Sequence, residues 1–302
     1  MPIWSEEHFS AETKVTSILH CSYLATALIY HPHLRHLYHS AWNIIITNTE
    51  GRKPRARLST IQAALIDLNA RSGVNPAGNF VVFGQTIAVA RLLGLHRDCS
   101  SWMIPQWERD LRTRIWWALL QYDIAAALSF GRAPVIGSDW DVRPPRRTPG
   151  DSVSYEAFVS LAELTAIQHQ FLEMTAPASS GWAQAGKLAG SSRSQLSQLS
   201  AISLELDDWR RRLDRRSFFA RGATTAPPGV RSLELMYLGT AVYVTRAAWD
   251  AVASEEEAVE GVIERAQRGC LRAAVELVAF VANLTITDLG GYWPICKLLQ
   301  DT

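Results

Sequence analysis

The stretch from Gly84 to Pro145 constrains this chain more than any other. It reads G-Q-T-I-A-V-A-R-L-L-G-L-H-R-D, then a short spacer, then E-R-D-L-R-T-R-I-W-W-A-L-L-Q-Y-D, and closes with S-F-G-R-A-P-V-I-G-S-D-W-D-V-R-P-P. The first piece is a nearly all-apolar helix that must stop at Gly94. Glycine takes the left-handed turn at a helix C-terminus, and the apolar Leu95 packs back on the last turn. After a loop with His96, Arg97, Asp98 and Pro105, the pattern predicts a second helix from Trp107 to Phe130, ended by Gly131 and Pro134. One face of it carries Arg112, Trp116, Leu119, Asp123, Ala127 and Phe130 at steps of three and four. An acid inside an apolar stripe is costly to bury unless a cation or several donors meet it. Arg97, Arg112, Arg114 and Arg132 are the nearby cations. Either a buried ion-pair network fixes how the helices pack, or a polar pocket receives a small effector. The candidate residues for both are Arg97, Asp98, Arg112, Arg114, Trp116, Trp117, Asp123 and Arg132.

Elsewhere the apolar spacing is helical throughout. Val15, Ile18, Leu19 and Leu28 suit one helix, ending near His31; Leu34, Leu37, Tyr38, Ala41 and Ile45 suit a second. Ser59-Thr60-Ile61-Gln62 reads as a capping box opening a helix with Ile61, Leu65 and Leu68 inward. Residues 71–78 read as a turn, and Pro134, Pro144, Pro145 and Pro149 keep 131–152 out of helix. Phe158, Leu161, Leu164, Ile167 and Phe171 line a helix over 154–174. Leu199, Ile202, Leu206, Trp209 and Leu213 line another over 196–213. Leu235, Leu238, Val242, Thr245 and Trp249 line a third over 232–252, with Trp209 and Trp249 expected mostly buried. A last helix over 256–284 bears Val259, Ile263, Ala266, Cys270, Ala273, Leu277, Val281 and Leu284. Residues 176–193 and 214–231 have the small, polar composition of linkers. No alternating strand pattern appears, so the fold is expected to be all-α with no significant β-sheet. Each helix with one apolar stripe needs a cover, which makes 1–302 a single all-helical domain.

The composition excludes several functions. Thirty basic residues against 29 acidic give a net charge of +1, unlike a chain that grips DNA by itself. Cys21, Cys99, Cys270 and Cys296 are far apart and contain no C-x-x-C pair, against a structural zinc site or a disulfide framework. No apolar run approaches the roughly 20 residues that span a bilayer. Neither H-E-x-x-H, G-x-S-x-G nor a phosphate-cradling glycine loop occurs, so no enzyme signature is present. Asp207-Asp208 is the nearest thing to a magnesium-binding acidic pair, but the W-R-R that follows would neutralise it. His33, His36 and His39, with His31 before them, share a spacing that metals use; without an acid or thiol beside them they read as a wetted surface.

The run G-L-H-R-D at 94–98, R-x-R-x-W-W at 112–117, Asp123, and G-R-A-P at 131–134 together resemble the fungal-specific transcription factor domain. That is the all-helical middle region of fungal zinc-cluster regulators, and the densest matching stretch is 59–147. S-T-I-Q-A-A-L-I-D-L at 59–68 and G-N-F-V-V-F-G-Q-T at 78–86 are further similar to pleiotropic activators of nitrogen-source catabolism. Trp209 and Tyr237 fit the Leu-x-x-Trp helix and later tyrosine-rich helix of the family. The resemblance implies a nuclear regulator of RNA polymerase II genes, of nutrient catabolism in particular. It implies as partners other transcription regulators or co-activators, or a second copy in a homodimer. Family members read DNA through an N-terminal six-cysteine zinc cluster. With Cys21 the only cysteine before the central helix pair, no zinc cofactor is expected in this chain, and DNA would be reached through a missing module or a partner. Truncation at both ends is the expectation. The rival reading is a helical module that binds a small effector or another protein.

Overall fold

In the computed structural model the described residues are 56–70, 76–147, 153–175, 192–214, 230–254 and 260–285, with scattered positions between 21 and 44. They form seven α-helices: α1 (Leu58–Ala70), α2 (Pro76–Leu92), α3 (Gln106–Phe130), α4 (Val153–Thr175), α5 (Ser192–Asp214), α6 (Val230–Ala253) and α7 (Glu260–Ala282). A 3-10 turn spans Arg35–Leu37. The described residues contain no strand, so the fold is all-α. No helix among them is long and apolar enough to cross a membrane.

They divide into two compact units between Tyr155 and Glu156. In the first, α1 packs against both α2 and α3. Ile61, Leu65 and Leu68 of α1, Phe83 of α2 and Ile115, Leu119 and Leu120 of α3 are almost wholly buried. The Phe83 ring lies 5.0 Å from Tyr122. Ala25 and Tyr38 join Ala63 and Ile66 in a smaller cluster at the N-terminal side.

The ends of α2 and α3 follow from glycine. Gly94 sits at φ 72° and Gly131 at φ 61°. At the first, Leu95 N–H returns to Ala90 O at 3.0 Å and Gly94 N–H to Arg91 O at 2.9 Å, closing the last turn while Leu95 is buried beneath it. At the second, Gly131 N–H returns to Ala127 O, and Arg132 N–H reaches the same oxygen at 3.2 Å.

The second unit is a set of packed helices. The α4 stripe Phe158, Leu161, Leu164, Ile167 and Phe171 is buried, as is the α5 stripe Leu199, Ile202, Leu206, Trp209 and Leu213. Helix α6 packs against α7 and, less extensively, α5.

Several sequence expectations need correction. Helix α1 begins at Leu58, so Ser59 lies buried inside the first turn instead of capping it. Helix α2 begins at Pro76, within the expected turn; proline suits a first helical position because its missing N–H would be unmatched there anyway. Helices α5 and α6 run into the expected linkers at Ser192, Arg193, Asp214, Val230 and Arg231; the remainder, 176–191 and 215–229, lies outside the described residues. On α6 Leu238 of the expected stripe is buried and its other members are intermediate, while the more deeply buried side is Leu233, Thr240, Val244 and Ala251. Apolar counting missed it because its middle is polar: Gln168 Nε2 on α4 donates to the Thr240 hydroxyl at 2.7 Å. Trp249 is intermediate in burial, with Arg246 5.2 Å above its ring.

Candidate functional site

The candidate residues of α3 and its flanking loops sort into two neighbouring arrangements in the first unit. Asp123, 0% exposed, is at the centre of one. Its Oδ1 accepts the Val135 N–H at 3.0 Å and its Oδ2 the Ile136 N–H at 2.6 Å. Arg132 adds an ion pair at 3.7 Å and lies 4.5 Å over the Phe80 ring of α2. The buried charge is therefore met chiefly by two backbone amides of the chain just past G-R-A-P, with one cation beside them. A carboxylate fits this task because it offers two oxygens to two consecutive N–H groups that no helix or sheet would otherwise pair.

The second arrangement holds the extended segment 138–147 against the 94–98 loop and the end of α2. Arg91 of α2 forks onto Asp139, with the Nη2–Oδ1 bond at 2.7 Å. Asp98 N–H donates to Asp141 Oδ1 at 2.7 Å, and Asp141 N–H donates to His96 O at 3.2 Å. Arg97 reaches Asp141 at 3.8 Å and Arg143 reaches Asp98 at 3.7 Å. Asp139 and Asp141 meet the arginines, while Trp140 between them lies 5.6 Å edge-on to Trp117 and 6.4 Å from Trp116. Trp117 Nε1–H ties the segment down by donating to Arg143 O at 2.9 Å.

The remaining candidates are local. Arg112 donates to Glu108 at 2.9 Å and to the Leu93 carbonyl at 3.0 Å, which covers the open end of α2, and it stacks 5.2 Å from the Trp102 ring. Arg114 donates to Asp110 O at 3.2 Å. Of the arginines proposed for Asp123, the structure brings Arg132 to it and gives Arg97, Arg112 and Arg114 the other partners described above. Sequence reading missed Arg91, Asp139, Trp140 and Asp141. Two acids flanking a tryptophan, downstream of an arginine-bearing helix end, were the available signal.

The electrostatics follow the pairing. Arg91 holds the Asp139 carboxyl down at about 2. Asp98 is lowered chiefly by the Ser100 N–H it accepts. Burial pulls His96 below its ordinary value, with Arg97 and Arg91 pushing the same way and Asp139 and Asp141 opposing. Burial also raises the Cys99 thiol, whose Sγ lies 3.6 Å from Arg109 O. Among the described residues no group of histidine, cysteine and carboxylate side chains is placed to hold a metal. His31, His33 and His36 are exposed, and Asp208 is paired with Arg211 at 2.6 Å. The arrangement as a whole clamps irregular backbone onto two helix ends.

Both clamps lie within the stretch that matches a known family. Residues 8–211 match the model of the fungal specific transcription factor domain, and the chain belongs to that family. It is 30% identical over 174 residues to an uncharacterized transcriptional regulatory protein of Schizosaccharomyces pombe, covering 53% of this chain and 26% of that protein. It is 36% identical over 103 residues to the transcriptional activator protein DAL81 of Saccharomyces cerevisiae, covering 33% of this chain and 10% of the activator. A third relative is the thiamine repressible genes regulatory protein thi1 of Schizosaccharomyces pombe, 29% identical over 118 residues, which are 36% of this chain and 15% of that one. The chain thus matches about a quarter or less of each relative's length. No solved structure matches.

Proposed function

We propose that this chain is the regulatory, non-DNA-reading part of a fungal transcription regulator, acting in the nucleus on RNA polymerase II genes through partner regulators or co-activators. The observation that carries the reading is the family match over 8–211, a stretch that includes the residues that build the Asp123 and 138–147 clamps. The near-zero net charge supports a role away from the DNA phosphates. The similarity of 59–68 and 78–86 to nitrogen-catabolism activators supports genes of nutrient use as the targets. The clamp supports a structural task for Asp123 over an effector pocket around it, because both carboxylate oxygens are already taken.

Two measurements test this. Fused to an unrelated DNA-binding module, residues 1–302 should change a reporter's transcription in either direction, whereas an unaltered reporter would count against a regulatory role. Alone, the chain should bind duplex DNA no more tightly than about 10⁻⁴–10⁻⁶ M at physiological salt and without sequence preference. Nanomolar, sequence-selective binding in a gel shift would overturn the non-DNA-reading assignment.

A further inference from the structure

Helix α2 has the composition of a core helix but only one covered side. From Pro76 to Ala90 it carries no charged residue. A helix that is apolar all round is normally buried all round. Its inner side, through Phe83, Ile87 and Ala90, is buried. Its outer side is open: Ala77, Phe80, Val81, Gln85, Ala88 and Leu92 are exposed, Val81 at 58% and Leu92 at 75%. These positions recur at steps of three and four, so they form one stripe along a helix about 25 Å long.

Contiguous apolar surface of this kind marks a contact face. Three features of the stripe say what fits it. The first is its lack of charge. A partner that laid an acid or a base on it would lose hydration there and gain no counter-charge. The second is its relief. Gly84 lies beside Gln85 with nothing within 4 Å of an added Cβ, and the small Ala88 is one turn further on. Larger side chains, Phe80 and Val81 at one end and Leu92 at the other, flank this low middle. Two helices that cross at an angle come closest at the crossing point and diverge beyond it, which calls for small residues in the middle and large ones at the ends. The third is Gln85, the one exposed polar side chain among the described residues of α2. Its amide both donates and accepts, so it can pair with an identical amide across a two-fold axis.

We propose that the outer face of α2 is a contact between two copies of this chain, crossing antiparallel at Gly84 and Ala88. A two-fold axis beside Gln85 and Thr86 then sets Val81 of each copy toward Leu92 of the other and brings the two Gln85 amides together. An isologous contact needs a surface that fits itself, and this one does. The antiparallel sense opposes the two helix dipoles and keeps the Arg91 guanidiniums, each already engaged by Asp139, at opposite ends. One helix face offers less than the roughly 800 Å² per partner of a standard interface, so the dimer is a weak one. The inference stands apart from the regulatory reading and does not depend on it.

The test is sedimentation velocity on residues 1–302 from about 1 to 100 µM, where a weak dimer passes from dissociated to associated. The mean mass of the wild type should rise with concentration. Val81→Lys and Leu92→Glu, each at an exposed position, should leave the thermal melt unchanged and each weaken self-association at least about tenfold. Mixed in equal amounts, the two variants should associate again, because the antiparallel pairing sets the new lysine against the new glutamate. Val275→Lys on α7, at a site also 58% exposed, should dimerise like the wild type. A wild type that stays monomeric throughout overturns the proposal. So does association that survives Val81→Lys, is lost equally in Val275→Lys, or is not restored by mixing the two α2 variants.

Discussion

Asp123 in α3 and Trp209 in α5 are equally hidden from solvent, at 0% and 1% exposure, but they hold different things. Asp123 reaches out of a helix to grip irregular chain at Val135 and Ile136. Trp209 fills space between helices, stacking 5.7 Å from Tyr237 of α6 and donating its indole N–H to Ser160 O of α4 at 3.1 Å. The first unit therefore depends on a few directional bonds to backbone, the second on apolar area with a few polar ties, Trp209 to Ser160 and Gln168 to Thr240 among them. Directional clamps fail when a single atom changes. Packed stripes degrade in proportion to the volume lost.

The sharpest way to break this contrast is Asp123→Ala. It leaves two backbone amides without their acceptor and Arg132 without its ion-pair partner, and should cost about 3–5 kcal/mol, read as a lower urea midpoint and faster hydrogen exchange at Val135 and Ile136. Asp123→Asn should cost less but remain clearly destabilising, because its NH₂ faces one of the two N–H groups. If Asp123→Ala were no worse than a surface substitution, the clamp would not be what organises the first unit.

Trp209→Phe comes next. It removes part of the ring and leaves the Ser160 carbonyl unmatched by the indole, for an expected loss of about 2–3 kcal/mol. The loss should appear in the exchange of α4–α6 amides while Val135 and Ile136 keep their protection. Gly94→Ala should cost about 1–2 kcal/mol, since alanine is strained at φ 72° and its Cβ would stand 3.0 Å from the Trp102 ring. Gly239, with nothing within 4 Å of an added Cβ and helical backbone, should instead tolerate alanine or gain slightly, which a thermal melt would show.

The smallest effect is expected at the exposed pair of Arg91 and Asp139. Asp139→Asn should lower stability a little at low ionic strength and not measurably in high salt, as solvent screens such pairs. The depressed Asp139 carboxyl sets the sign of the pH effect. Its contribution is present above the ordinary value of 3.8 and is lost as pH falls through about 2. Wild type and Asp139→Asn should therefore converge in acid, which urea titrations at several pH values would reveal.

The amino-acid sequence by itself determined the helices and the glycine-closed ends of α2 and α3. Apolar spacing on α4 and α5, and the glycines that close α2 and α3, act through neighbours three to five residues apart, so they are visible without a fold. It also marked Asp123 as a residue needing partners, because an acid within an apolar stripe cannot be left alone in a core. What the tertiary structure alone decided was which partners. The donors to Asp123 are backbone amides, which every non-proline residue possesses, so no side-chain pattern could single out Val135 and Ile136. The pairing of Arg91 with Asp139 spans 48 positions and depends on where a non-helical segment is laid down. The inward side of α6 was likewise settled by its neighbours, because Thr240 is polar by composition and becomes a core residue only when Gln168 meets it across the helix interface.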